Sequence, residues 1–247
     1  MPITRIGWLT WKEVEALNRE TTILILPTGC TEQHGQRLPL CTDTRSAEFL
    51  AERIAKKLSG AVLLPALPFG TAQDTSAWPG TVSIRNYIYQ EVIEDILESF
   101  IIHGFTKFLV VNFHGPNHQP IEKAIEMIQL DYDVQILNPD KDVFMNPEFM
   151  KLCESLFGKK LAHGNEVETS ISVAIEPDLI RPAEAVTGTG PDYFPLKEEM
   201  PATPTEWRRL IPLGHFGNPA KAKLKAGQIL INWIINQFLE LARTEFK

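Results

Sequence analysis

Residues 21–45 read TTILILPTGCTEQHGQRLPLCTDTR: an apolar run, a turn-prone loop, and the approach to an amphipathic segment. The run at 21–26 is β-branched and continuously apolar, as a parallel strand buried on both faces requires, and Pro27 is expected to end it. Glu32, His34 and Asp43 follow in the loop, separated by Gly35 and Pro39. Two carboxylates and an imidazole form a set of hard-to-borderline ligands suited to a divalent metal. In open α/β proteins, sites form outside the carboxyl ends of parallel strands, in the loops that lead to helices. The spacing by itself is no general metal signature. A solvated polar loop is the competing reading, and the rest of the chain decides between them.

Outward from this stretch, strand and helix patterns alternate. Ala47, Leu50, Ala51, Ile54 and Leu58 form one apolar stripe, so residues 44–58 are expected to be a helix that Gly60 closes. A short strand at 61–67 (AVLLPAL) leads to a long loop at 68–80, and a second helix follows at 87–102 with Gly104 as its stop. KFLVVNF at 107–113 reads as another buried strand; a helix then begins near Pro120, and a fourth strand is expected at 134–137. This order predicts a three-layer α/β/α sandwich with a mostly parallel central sheet, and one domain over residues 1–247. Thr10 is expected to cap a short helix at 11–18, residues 167–175 read as a helix, and Asn218-Pro219 is expected to cap a last long one. Residues 182–212 carry six prolines and little periodicity, which suits a lid or an oligomer contact.

Composition excludes several classes. At 247 residues and 44% hydrophobic content, the chain can bury a substantial core. A formal net charge of -7 argues against non-specific nucleic-acid binding. Cys30, Cys41 and Cys153 form no paired framework and no CxxC, so free thiols in a reducing compartment are expected. The first residues lack the basic start and apolar core of a signal peptide, and no segment approaches the roughly 18 to 20 apolar residues of a membrane span. A cytoplasmic protein with no membrane or nucleic-acid partner is the expectation.

Two further clusters bear on the metal reading. NFHGPNH at 112–118 lies just past the buried strand, on the same sheet edge as the first loop if the strands are parallel. Two strand-to-loop junctions then present Glu32, His34, Asp43 and His114 toward one crevice, which favours a metal site. His118 stands near the start of the next helix and reads as a cap. AHGNEVETS at 162–170 supplies His163, Glu166 and Glu168 ahead of a helix. The two glutamates cannot share a helical face, so one is expected to point inward and the other away. The plainer reading is a capping arrangement with one solvated carboxylate.

These three blocks, in this order, resemble the creatininase family of metal-dependent amidohydrolases. WPGT at 78–81 is similar to the family's Phe-Pro-Gly-Thr element, and residues 214–222 to its glycine-rich approach to the last helix. The resemblance implies two divalent metal ions per chain, zinc, manganese or iron, with Asp43 bridging them. Glu32 and His114 would complete one ion and His34 would help hold the other. It also implies hydrolysis of a linear or cyclic amide C–N bond of a small molecule, creatininase-like or formamide deformylase-like, through a metal-activated hydroxide. His163 matches the catalytic histidine that passes a proton to the leaving nitrogen. Family members form rings, often trimers of dimers, so a homo-oligomer such as a hexamer is implied.

Departures from the pattern sharpen the expectations. Arg37 stands where the first block has its second histidine, Asp74-Thr75 where a histidine often precedes the Pro-Gly-Thr element, and Pro116 where creatininase has a metal-binding glutamate. Glu168, from the Glu-Thr-Ser element, is then the expected replacement ligand, with Glu166 as its competitor. Creatininase places tryptophan over its small cyclic substrate, and this chain has none between Trp78 and Trp207. A phosphate-bearing substrate would need cations, for which Arg37 and Arg45 are the candidates; no substrate-binding residue is otherwise assigned. The departures also motivate an alternative, a non-catalytic metal- or ligand-binding protein that keeps the fold.

Overall fold

The computed structural model describes residues 3–192 and 200–247. Among them, β1 (Thr4–Arg5), β2 (Ile23–Thr28), β3 (Ala61–Leu63), β4 (Lys107–Asn112) and β5 (Gln135–Leu137) form a sheet in the order β1-β3-β2-β4-β5. Every pairing is parallel. The chain leaves β2 for β3 on one side and later returns to β4 on the other, so the order reverses between β2 and β4. Such a switch point opens a crevice at the carboxyl ends of the two strands. The register pairs Thr28 with Asn112, which sets the loops after both strands at one level.

Alternation along the strands explains the layers. Ile23, Ile25, Leu109 and Val111 face one core, while Leu24, Leu26, Phe108 and Val110 face the other. Following α1 (Trp11–Glu15), whose cap is Thr10 in a capping box with Glu13, the chain forms α2 (Thr42–Ala55), α3 (Asn86–Ile101) and α4 (His118–Asp131). Helices α3 and α4 cover the second core; α2 covers the first. Later elements complete that first layer: α5 (Asp140–Phe144), α6 (Pro147–Phe157), α7 (Glu166–Ile175) and α9 (Leu224–Glu245), the last preceded by α8 (Pro204–Leu210). The mostly parallel three-layer architecture is therefore the one the alternating pattern predicts.

Several boundaries differ from the sequence reading. Pro27 does not end β2 but lies inside it, opposite Val111. Its carbonyl accepts from Leu67, beyond the end of β3, so its missing N–H faces a stretch where the ladder has already stopped. Helix α2 starts at Thr42, which places Asp43 in its first turn, not in the loop. Residues 140–157, unassigned from periodicity, carry ordinary end signals: Asn146 accepts from Glu148 N, Pro147 opens α6, and Gly158 ends it at φ +70°. Asn218 caps only a single 3-10 turn, Pro219–Lys221, and α9 begins after Lys223. The edge strand β1 is two residues long, too short for a periodic signal. The lid or oligomer contact expected within 182–212 falls in part on residues 193–199, which lie outside the described residues. Among the described residues, no helix is long and apolar enough to cross a membrane.

Candidate metal centre

The ends of β2 and β4 are tied together before any candidate ligand is placed. Asn112 Oδ1 accepts from Thr28 Oγ1 at 3.1 Å and from the backbone of His114 at 3.2 Å, and its Nδ2 donates to the His114 carbonyl at 2.9 Å. Asn117 spans the next loops, accepting from Thr71 N at 3.0 Å and donating to the Gly29 carbonyl at 3.0 Å. Both asparagines are buried, and they give the 112–118 block its rigid form. The ligand loop rests on the WPGT element, since Gln33 N donates to Thr81 Oγ1 at 3.1 Å. From the other side Gly214, at φ +75°, lies where a Cβ would sit 2.2 Å from Gln33 Oε1, so no larger residue fits.

Glu32, His34, Asp43, His114 and Glu168 converge, each less than one tenth exposed. Their donor atoms fall into two groups that share Asp43: Glu32, Asp43 and His114, and His34, Asp43 and Glu168. A third group joins Glu32, His34 and His163, and in each group the donor atoms lie within 4.8 Å of one another. Glu168 is thus brought to the position the sequence reading needed for it. Pro116 lines the same cavity and offers no donor.

The hydrogen bonds of the two imidazoles test whether a cation fits. His114 Nε2 donates to the Thr71 carbonyl at 2.7 Å, and His34 Nδ1 donates to the Glu32 carbonyl at 3.1 Å. These partners fix one proton on each ring. The other nitrogen of His114, Nδ1, faces Asp43 Oδ2 at 2.9 Å and Glu32 Oε2 at 3.2 Å. The other nitrogen of His34, Nε2, faces Asp43 Oδ1 at 3.0 Å and Glu168 Oε2 at 3.9 Å. A lone pair set against carboxylates repels them unless a cation stands between, either a second ring proton or a metal ion. Asp43 Oδ2 is buried without an aligned hydrogen bond, the 2.9 Å approach of His114 notwithstanding. The donor set therefore fits divalent metal.

Electrostatics point the same way. Burial opposes charge on His34, but Asp43 and Glu168 outweigh it and raise the ring to about 10. His114 is raised well above its usual value, because Glu32 and Asp43 outweigh its burial. Burial also opposes ionisation of Glu32, yet the surrounding imidazoles hold it down at about 2, and His34 and His114 depress Asp43 in the same way. Glu168 goes up to about 7 because burial exceeds the pull of His34. The pocket demands positive charge, and metal supplies it when bound.

His163 stands beside this cluster, its ring centroid 4.4 Å from that of His34. Its Nε2 lies 2.9 Å from Gln33 Nε2, and Gln33 Oε1 accepts from Gly35 N at 2.9 Å, which fixes the amide as the donor to the ring. Burial lowers His163 to about 4, with Glu32 acting against the shift. Thr75 Oγ1 donates to Glu32 Oε1 and aims that carboxylate. Gln33 does not stand out in the sequence, and Thr75 does so only as a departure from the family pattern; no signal connects either to its partner.

Other expected residues are placed differently. Glu166 diverges from Glu168, as the helical spacing requires, but it is buried and not solvated: its Oε2 accepts from Asn218 N at 2.8 Å. The cap of α7 is Asn165, which accepts from Val167 N and Glu168 N. His118 caps nothing; its Nδ1 donates to Asp140 Oδ1 at 2.5 Å. Arg37 donates to the carbonyls of Arg181 and Pro219, and Arg45 to Glu48 and Glu176, so both suggested phosphate cations are committed elsewhere. Within the proline-rich stretch, Trp207 and Ile211 are buried and, with Phe216, line the cavity over the cluster. An indole does stand at this site, from α8.

Several known proteins are similar to this chain over most of its length. A family model described as Creatininase, creatinine amidohydrolase, matches residues 8–242. The creatinine amidohydrolase of Pseudomonas putida is 27% identical, with 98% of this chain and 96% of the relative covered. The mycofactocin precursor peptide peptidase of Mycolicibacterium smegmatis is 26% identical, with 89% and 84% covered. Among solved structures, a mutant creatininase of Zn-Zn type matches with a TM-score of 0.83 at 25% identity, covering 100% of this chain and 99% of its own. A manganese creatininase matches at 0.82 and 26%, with 99% of each chain covered.

Proposed function

The chain belongs to the creatininase family, and from that premise we propose that it is a metal-dependent amidohydrolase cleaving a linear or cyclic amide C–N bond of a small molecule. The observation that carries this reading is the pair of donor groups meeting at Asp43. Glu32, His114 and Asp43 would hold one divalent ion, and His34, Glu168 and Asp43 a second, with zinc and manganese the ions found in the related structures. Divalent metal in such a pair lowers the pKa of a water toward neutral and polarises the carbonyl under attack.

The chain's own groups supply the rest. Thr75 holds the Glu32 carboxylate, while the carbonyls of Thr71 and Glu32 hold the two imidazoles, so the donors are oriented before substrate arrives. His163 accepts at Nε2 from Gln33, which leaves the ring proton on Nδ1. Because burial disfavours the charged ring, His163 rests neutral and gives up readily any proton it takes during turnover. That behaviour suits delivery of a proton to the leaving nitrogen. Trp207, Ile211 and Phe216 form an apolar cover that keeps bulk water from the reacting bond.

A screen of formamides, cyclic ureides and short peptides with the zinc- or manganese-loaded protein tests the reading. It predicts turnover that disappears with a chelator and returns with metal. No metal-dependent turnover on any of them would count against hydrolysis and for a binding protein of the same fold. For the assembly, we propose a homo-oligomer, hexameric as in the family's rings; the exposed Trp8 and Trp11 are the kind of surface that a partner subunit covers. A compact monomer at micromolar concentration in the ultracentrifuge would remove that proposal. Three free cysteines, two of them buried, suit the reducing cytoplasm.

A further inference from the structure

The metal-centre cavity, about 240 Å³, adjoins a second compartment of about 330 Å³. Phe113, His114, Gly115, Leu161 and Glu168 line both spaces and so form the junction. Building on the amidohydrolase reading, we propose that the second compartment takes an apolar acyl substituent of the substrate, which makes the substrate an amide whose carbonyl carbon carries a hydrocarbon or aromatic group.

The walls argue for that occupant. Phe113, Phe144, Met145 and Leu161 supply the surface, and Phe113 and Phe144 are fixed edge to face with centroids 5.3 Å apart. Among the described residues, the one acid in the wall away from the metal cluster is Asp140, and both of its oxygens already accept hydrogen bonds. His118 Nδ1 and Lys141 N donate to its Oδ1 at 2.5 and 2.6 Å, and Asn112 Nδ2 donates to its Oδ2 at 2.6 Å. An apolar group that enters leaves these bonds of Asp140 in place.

Direction follows from which residues line which space. His163 borders the metal-centre cavity and not the second compartment, whereas Glu168 and His114 border both. With the leaving nitrogen toward His163, the opposite substituent of the carbonyl carbon faces the junction. Gly115 is exposed and lines both spaces, and a Cβ built on it meets nothing within 4 Å, so there is room for a side chain. A leucine at this position meets no backbone strain, because Gly115 is not among the glycines of positive φ, and it stands at the boundary that Gly115 lines. Formamides, which have hydrogen as their acyl substituent, leave the compartment unused and are poor substrates on this account.

Hydroxamates of increasing acyl length measure the compartment directly, because they bind through metal and carry the acyl group in question. Calorimetric Kd values for acetohydroxamate and hexanohydroxamate are compared on the zinc-loaded protein, on Gly115→Leu and on Met145→Glu, with zinc content checked for each. Burial of methylene groups tightens binding by roughly fourfold each, so hexanohydroxamate is expected to bind at least about tenfold tighter than acetohydroxamate. Gly115→Leu should erase that advantage and Met145→Glu should reduce it, both at full zinc content. If acetohydroxamate binds but the longer chain adds nothing, or if Gly115→Leu leaves the advantage intact, the compartment assignment is overturned and the metal centre stands. If neither hydroxamate binds to protein that holds zinc, the amidohydrolase reading and the inference fall together.

Discussion

Replacing Glu168 by Gln, with Glu166→Gln beside it, separates a metal ligand from a buried neighbour two residues away. Glu168 Oε2 lies 3.9 Å from His34 Nε2 and shares a donor group with His34 and Asp43. Its loss leaves one ion with two protein donors, one of them already shared. Changing a group that only orients a ligand typically costs about 10–100-fold in metal affinity, so loss of the ligand itself should exceed about 100-fold, or about 2.7 kcal/mol. Glu166 meets no donor group; its Oε2 accepts from Asn218 N at 2.8 Å, a bond that the carbonyl oxygen of Gln can keep. Exchanging a charged acceptor for a neutral one there should cost about 1 kcal/mol of stability, or roughly 2–4 °C in Tm for a chain of this size. Metal per chain is measured by mass spectrometry after dialysis against buffered zinc, and Tm by calorimetry. Glu168→Gln should retain one ion and almost no turnover, while Glu166→Gln should retain both ions. Full metal content and rate in Glu168→Gln, or loss of an ion from Glu166→Gln, would refute the assignment.

Three other perturbations follow from the same geometry. His163→Asn should lower turnover by about 10²- to 10⁴-fold with both ions still bound, and an unchanged rate would remove His163 from proton transfer. Thr75→Val deletes the hydroxyl that aims Glu32 and should weaken zinc binding by about 10–100-fold; a titration showing unchanged affinity contradicts that role. In the chelated protein, His34 is raised to about 10, so its stabilising contribution is complete below about pH 6.5 and is lost as pH climbs toward 10. Glu168, raised to about 7, favours its protonated form and works against stability as pH rises. Glu32, held at about 2, acts oppositely, and its contribution is lost only as pH falls toward that value. Tm of the chelated protein should therefore decline between pH 7 and 10, and zinc should suppress the decline. A flat profile would show that these imidazoles do not carry the charge assigned to them.

Much of this arrangement is legible in the chain because it depends on local pattern. The apolar runs before Glu32 and before His114 mark strands buried on both faces, and the parallel order then brings their loops to one edge. The opposed directions of Glu166 and Glu168 follow from helical spacing alone. What escapes the sequence depends on partners far away. Thr75 reaches Glu32 across 43 positions, and Gln33 reaches His163 across 130. Glu166 looks like a solvated acid until Asn218, 52 residues on, is seen to donate to it. Arg37 and Arg45 are cations beside the ligand loop in sequence, yet carbonyls and acids from residues 176–219 hold them away from the cavity. Trp207 lies in a stretch without periodicity, and only the folding of α8 over the cluster gives it a role. Pro27 reads as a strand end because the sequence does not reveal that β3 stops short of it.

The central claim is that two ions meet at Asp43, and diffraction from zinc-soaked crystals on either side of the zinc absorption edge tests it most directly. Two anomalous peaks per chain are predicted, one among Glu32, Asp43 and His114 and the other among His34, Asp43 and Glu168. Crystals of fully zinc-exchanged protein with no peak beside Asp43, or with a single peak that Glu168 does not touch, would contradict the account.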